Sequence, residues 1–185
     1  MQATDILMAE HEVIERVLTA LETGAQKLKS GQTVRAGFFT DAADFIKGFA
    51  DGCHHRKEEG VLFKALEDAG LPAKSGPIAV MLMEHEEGRA YTRGMRAAAE
   101  KMASGDAAAR SDVVANAQGY VELLRQHIAK ENNILFPMAG QMIPKTRHAG
   151  VVEAFEHVEH EETGAGVHEK YLALAAQLEK EAAAL

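Results

Sequence analysis

Two stretches of this chain nearly repeat each other. His54-His55-Arg56-Lys57-Glu58-Glu59-Gly60-Val61-Leu62-Phe63 and His127-Ile128-Ala129-Lys130-Glu131-Asn132-Asn133-Ile134-Leu135-Phe136 align without gaps and share His, Lys, Glu, Leu and Phe, with Val61 opposite Ile134. In each, a histidine and a glutamate lie four residues apart, which on a helix puts them on one face about one turn apart. Two such helices packed face to face bring two imidazoles and two carboxylates to one point. That donor set suits a pair of iron or manganese ions, since imidazole with carboxylate favours such metals and a carboxylate can bridge two of them.

The spacing of apolar residues predicts five helices. The first runs from about Thr4 to Lys29, with Thr4 or Asp5 as N-cap. The second runs from about Val34 to Ala69 and stops at Gly70-Leu71-Pro72. Pro77 suits the first turn of a third helix that reaches about Ala103. The fourth extends from Ala107 or Ser111 to Phe136, where Pro137 ends or kinks it. After Pro144 comes a fifth, interrupted at Thr163-Gly164-Ala165-Gly166, whose second half is Val167 to Ala184. No strand-like alternation and no long linker divide the chain. The expectation is an all-α, up-down-up-down four-helix bundle over about 4–140, with a C-terminal helical extension over about 145–185. The whole, residues 1–185, forms a single domain.

Ala, Leu, Glu, Lys and Met are common and Pro is rare, in keeping with helix. A chain of 185 residues, 46% apolar and 26% charged, is long enough for a sizeable core and reads as soluble and globular. The net charge of −8 and the lack of a basic stretch with interleaved aromatics argue against nucleic acid as a partner. One cysteine, Cys53, excludes an intramolecular disulfide and reads as a small buried residue. Met1 to Glu10 lacks the basic-then-apolar pattern of a signal peptide, and no run of about 18 apolar residues could cross a membrane. A cytoplasmic protein is expected; its oligomeric state is not constrained.

Nine histidines remain to be placed. His11 shares a helical face with Leu7, Met8 and Ile14; His85 with Met81, Leu82 and Gly88; His127 with Leu123, Leu124 and Glu131; His54 with Ala50, Glu58 and Val61. One inward histidine therefore comes from each bundle helix. A single such histidine is usually a hydrogen-bonded core residue. Four of them with two carboxylates at the same depth point to a metal site, because buried glutamates are costly unless paired or metal-bound. The His-x-x-x-Glu spacing also occurs at His11/Glu15, His55/Glu59 and His157/Glu161, but the repeat register selects His54 with Glu58. His55 then falls opposite Ile128, at the edge of the helix face, second-shell or facing solvent. His157, His160 and Glu161 form either a separate surface metal site or a solvated polar face, and His148 and His168 lie outside the bundle set.

At Ala9-Glu10-His11, the His54 to Phe63 stretch, Met83-Glu84-His85-Glu86-Glu87-Gly88-Arg89 and His127 to Pro137, the chain resembles the hemerythrin-like, or HHE cation-binding, family. The resemblance covers about residues 4–140, and Val151 to Leu178 looks like the C-terminal helix of one bacterial subgroup. It implies two iron ions, oxo- or hydroxo-bridged, with His11, His54, Glu58, His85, His127 and Glu131 as ligands and Glu58 and Glu131 as bridges; manganese or a mixed pair also fits these donors. Oxygen-carrying members have a second helix-3 histidine four residues on, where this chain has Arg89, and a helix-4 aspartate where it has Asn132. The four-His, two-Glu set is similar to that of iron-cluster repair proteins and some bacterial hemerythrin-like proteins, which favours small-molecule redox chemistry over simple oxygen carriage. No Glu-x-x-His occurs, which argues against a ferritin-type site.

The resemblance implies a non-haem di-iron protein that binds a small oxidant (oxygen, nitric oxide or peroxide) and reduces or detoxifies it with an electron donor. The alternatives are an oxygen or iron sensor without turnover, an iron buffer and a purely structural bundle. Gly88, one turn after His85, either leaves room for the small molecule or serves close helix packing. Tyr120, two turns before His127, is either a hydrogen-bond donor behind the ligands or a core residue.

Overall fold

The computed structural model of the protein describes residues 2–164 and 166–185. Met1 and Ala165 lie outside the described residues, so the break expected at Thr163-Gly164-Ala165-Gly166 is described only at its other three positions. Among the described residues, every regular element is helical. None is long and apolar enough to cross a membrane.

Helix α1 spans Ala3–Lys29. Its cap is Gln2 rather than Thr4 or Asp5: the Asp5 carboxylate accepts the Gln2 backbone N–H at 2.7 Å, so the acidic side chain works from the third helical position back to the cap. Helix α2, Ala36–Phe45, runs on through two π-helical stretches, Ile46–His55 and Glu58–Leu62, into α3, Phe63–Asp68. Gly70, with φ +100°, turns the chain away. Helix α4 is Gly76–Ala103, with Pro77 in its first turn. Helix α5, Ala109–Lys130, passes through a third π-helical stretch, Glu131–Leu135, into α6, Phe136–Met142. Pro137 therefore does not end this helix; the widened turn before it accommodates a residue that has no N–H to donate. A 3-10 turn at Lys145–Arg147 leads to α7, His148–His157, a π-helical stretch Val158–Gly164, and α8, Val167–Ala183.

The rods α1, α2–α3, α4 and α5–α6 form the bundle. α4 and α1 pack on α5, α2 packs on α4, and α8 lies along α1 and α2 as the additional C-terminal helix. Ala175 and Leu178 of α8 are fully buried in the bundle core, and burying one Leu side chain contributes about 1.5–3 kcal/mol. At Gly48 a Cβ would lie 1.9 Å from the Tyr171 ring, so the absent side chain is what lets α8 sit this close.

Two apolar cores fill the bundle. One gathers Ile14, Leu18, Phe38, Phe45, Phe49, Met95, Val113 and Leu124. The other gathers Leu7, Leu62, Phe63, Leu66, Ile78, Met81, Leu135 and Phe136. Between them lies a buried polar slab: His11, His54, His55, Glu58, His85, His127 and Glu131. Each rod crosses it once, as Leu7–His11–Ile14 does in α1, so the helix register sets the depth of the site.

Candidate metal centre

The structure brings together all six residues expected as ligands and adds a seventh. One ligand atom each of His11, His54, Glu58 and Glu131 lie within 4.8 Å of one another, and so do one each of His55, Glu58, His85 and His127. Glu58 belongs to both groups.

The histidines are held alike. Nδ1 of His54 lies 2.9 Å from Glu10 Oε2, that of His127 2.9 Å from Glu84 Oε2, and that of His85 2.7 Å from Glu59 Oε1. Nδ1 of His11 lies 2.9 Å from Asn132 Oδ1, and that of His55 3.0 Å from Asp51 Oδ1. Carboxylate and amide oxygens only accept, so each Nδ1 carries the proton and donates. This fixes the tautomer and frees Nε2 as a lone pair, the arrangement found around metal-binding imidazoles.

The Nε2 atoms converge on the two glutamates. Glu58 reaches His54 Nε2 with Oε1 at 3.6 Å and His85 Nε2 with Oε2 at 3.5 Å. Glu131 reaches His127 Nε2 with Oε1 and His11 Nε2 with Oε2, both at 3.2 Å. Each carboxylate thus spreads its two oxygens over histidines from two different helices, as a bridging carboxylate does. All four carboxylate oxygens, with Nε2 of His11 and of His54, are buried and make no hydrogen bond among the described residues. Buried polar atoms left this way are costly, and a cation among them removes the cost. His85 Nε2 and His127 Nε2 lie 3.1 Å apart. With each Nδ1–H already donated, two neutral rings would face lone pair to lone pair. A proton or a metal ion between them would resolve that contact.

The electrostatics agree. Burial, then the neighbouring Glu131, pushes the Glu58 carboxyl well above its ordinary range. Burial acts the same way on Glu131, but contacts with His11 and His127 override it and hold Glu131 low. Burial lowers His54 to about 4 and lowers His85 as well, keeping both neutral. Against burial, Glu131 and Glu84 raise His127.

A pseudo-twofold relation organises the slab. Glu10-His11 on α1 answers Glu84-His85 on α4. Lys57 hydrogen-bonds Glu10, as Lys130 does Glu84. Glu59 and Asn132, each following one of the two buried glutamates, hold the histidine of the opposite pair. Phe63 stacks beside His85 and Phe136 beside His11. Both Glu58 and Glu131 open a π-helical stretch, so the sequence repeat is also a backbone repeat. Such wide turns recur at functional sites.

His55 departs from expectation. It is neither at the edge nor facing solvent but 3% exposed, stacked on His85 with ring centroids 3.8 Å apart. The reason is the π-helical winding of Ile46–His55, which closes i to i+5 and turns less per residue than an α-helix. Adjacent residues then share the inner face, and the α-helical face assignment fails. The outer residues Glu10, Asp51, Glu59 and Glu84 were also not singled out, although Glu10-His11 and Glu84-His85 carry the signal as a repeated Glu-His pair.

Gly88 faces the Tyr120 ring, and an added Cβ would sit 3.4 Å from Cε2, an ordinary van der Waals distance, so the packing of α4 on α5 does not depend on the missing side chain. The Tyr120 hydroxyl is buried without a hydrogen-bond partner among the described residues. Cys53 is buried, and burial pushes its thiol up to about 11. Glu10, Cys53, Glu159 and His168 also cluster, but the Lys57 ammonium already joins Glu10 to Glu159. His157, His160 and Glu161 are exposed, and among the described residues they join no metal-holding group. His148 Nε2 donates to the Ile143 carbonyl at 3.0 Å.

Fold and slab together define a helical-bundle metal-binding protein. Residues 2–139 match the family model described as the hemerythrin HHE cation binding domain, and the chain belongs to that family. Among curated proteins it is similar to the uncharacterized protein Mb2018 of Mycobacterium bovis and the uncharacterized protein Rv1995 of Mycobacterium tuberculosis. Each is 27% identical over 178 residues, covering 96% of this chain and 69% of the relative. No solved structure matches the chain.

Proposed function

We propose that this chain is a non-haem di-iron protein that binds a small oxidant, such as oxygen, nitric oxide or peroxide, and reduces or detoxifies it. The observation that carries the reading is the convergence of Nδ1-anchored histidines on two buried carboxylates whose four oxygens make no hydrogen bond. In this reading His11 and His54 would hold one iron and His85 and His127 the other, and Glu58 and Glu131 would be shared between them. The iron pair supplies the electrons and the open coordination positions.

The protein's own part is to hold the donors in place, exclude bulk water with the two apolar cores, and fix the tautomer of each imidazole through Nδ1. Glu10, Glu84, Glu59 and Asn132 fix ring orientation, and losing such an outer partner typically costs 10–100-fold in metal affinity. The test is turnover by the iron-loaded protein of nitric oxide or peroxide with a chemical reductant. Sustained consumption supports the reading; a stable, reversible oxygen adduct without consumption replaces it with a carrier.

One observation favours a second reading, an oxygen or iron sensor. Glu159, in the C-terminal extension, pairs with Lys57, which pairs with Glu10, the residue that holds His54. A sensor would show altered protease susceptibility of the extension on metal or ligand binding.

A further inference from the structure

We infer that His55 is itself a metal-binding residue: it supplies a third imidazole to the ion held by His85 and His127, so that the two metal positions are chemically unequal. The inference rests on the dinuclear reading above and adds to its ligand set.

Three observations carry it. First, His55 contributes a ligand atom to the group formed with Glu58, His85 and His127, all within 4.8 Å of one another. Second, it is prepared like the other four inner histidines. Its Nδ1–H is donated to Asp51 at 3.0 Å, which leaves Nε2 for the slab. Third, the pseudo-twofold relation provides an internal control. The position that answers His55 is Ile128, itself buried. The fold therefore packs an aliphatic side chain at this depth without strain, and packing alone does not call for an imidazole with its own anchoring carboxylate. Asp51 has no carboxylate counterpart in the other half: Leu124, three residues before His127, stands where Asp51 stands before His54.

The consequence is an uneven centre. One position has His11 and His54 with the two bridging carboxylates; the other has His55, His85 and His127 with the same bridges. An additional nitrogen donor strengthens binding at the second position and makes it the first to fill with a late first-row divalent ion, for which imidazole is a good ligand.

The probe is cobalt(II) alone, whose visible bands report coordination. Metal-free protein is titrated with cobalt and followed by absorbance and by metal content after desalting. The wild type takes up two ions in two distinguishable steps. His55→Phe keeps a ring stacked on His85 and removes both nitrogens; it should weaken the tighter step about tenfold or more and change its spectrum, leaving the other step in place. His55→Gln, which can still donate to Asp51, is the second variant should the phenylalanine fail to fold by circular dichroism, and it should behave the same way. If both steps and both spectra survive in a folded variant, His55 is a packing residue and the inference falls while the dinuclear reading stands. If the wild type itself does not bind two ions, the dinuclear reading falls and this inference with it.

Discussion

Each inner histidine gives Nδ1 to an outer acceptor and keeps Nε2 for the centre, and the two glutamates between them make no hydrogen bond among the described residues. Glu58 tests this account without metal. Its carboxyl is raised by burial and by Glu131, so its proton stabilises the metal-free fold below the ordinary carboxylate range, and that stability is lost as pH rises through the raised value. The metal-free wild type should therefore lose melting temperature between pH 6 and pH 8 more steeply than Glu58→Gln. Parallel curves would show that Glu58 carries no such strain. The two equivalent lysines give a second test. Lys57 is 0% exposed between Glu10 and Glu159, whereas Lys130 is 38% exposed beside Glu84. Removing one partner of a buried pair costs about 3–5 kcal/mol, and water reaching the partly exposed Lys130 end of its pair with buried Glu84 lowers that cost. Denaturant unfolding should show Lys57→Ala to be far more damaging than Lys130→Ala; equal losses would contradict the burial argument. Six of the seven inner residues were legible in the sequence because His and Glu recur at helical spacing. His55 was not, because its inward face depends on a winding that the spacing argument takes to be α-helical.

At the scale of elements, the helices follow apolar periodicity and their ends follow Gly70, Pro77 and the glycines near residue 166. The π-helical stretches have no compositional mark and were not legible, and Pro137 misleads for the same reason, since a widened turn absorbs what would otherwise break the helix. The close approach of helices depends on small residues in ways that helix propensity misjudges. Gly24 on α1 is such a case: an added Cβ would lie 2.4 Å from Phe38 Cε1, and Phe38 is fully buried. Propensity alone would make Gly24→Ala stabilising by about 1 kcal/mol, while overpacking costs about 1–3 kcal/mol. The clash should win, and thermal unfolding should show a lower melting temperature. A rise would mean that Phe38 can move.

For the whole molecule, two apolar cores hold a buried polar slab, and metal binding would offset the cost of burying it. The bundle and the existence of the slab could be read from one inward histidine per helix. The placement of α8 in the groove beside α1 and α2 could not, because its small residues Ala175 and Ala182 give no direction without the partner surface. A ligand that binds only the folded state stabilises it by about 2.7 kcal/mol at 100 times its Kd, which for a chain of this length is roughly 5–10 °C in Tm. Loading with ferrous ion should raise Tm by that order, and the double variant Glu58→Ala with Glu131→Ala should abolish the rise. The most direct measurement is iron per chain after anaerobic loading with ferrous ion and desalting. The account predicts about two per chain in the wild type; a folded wild type that retains none contradicts the proposed centre.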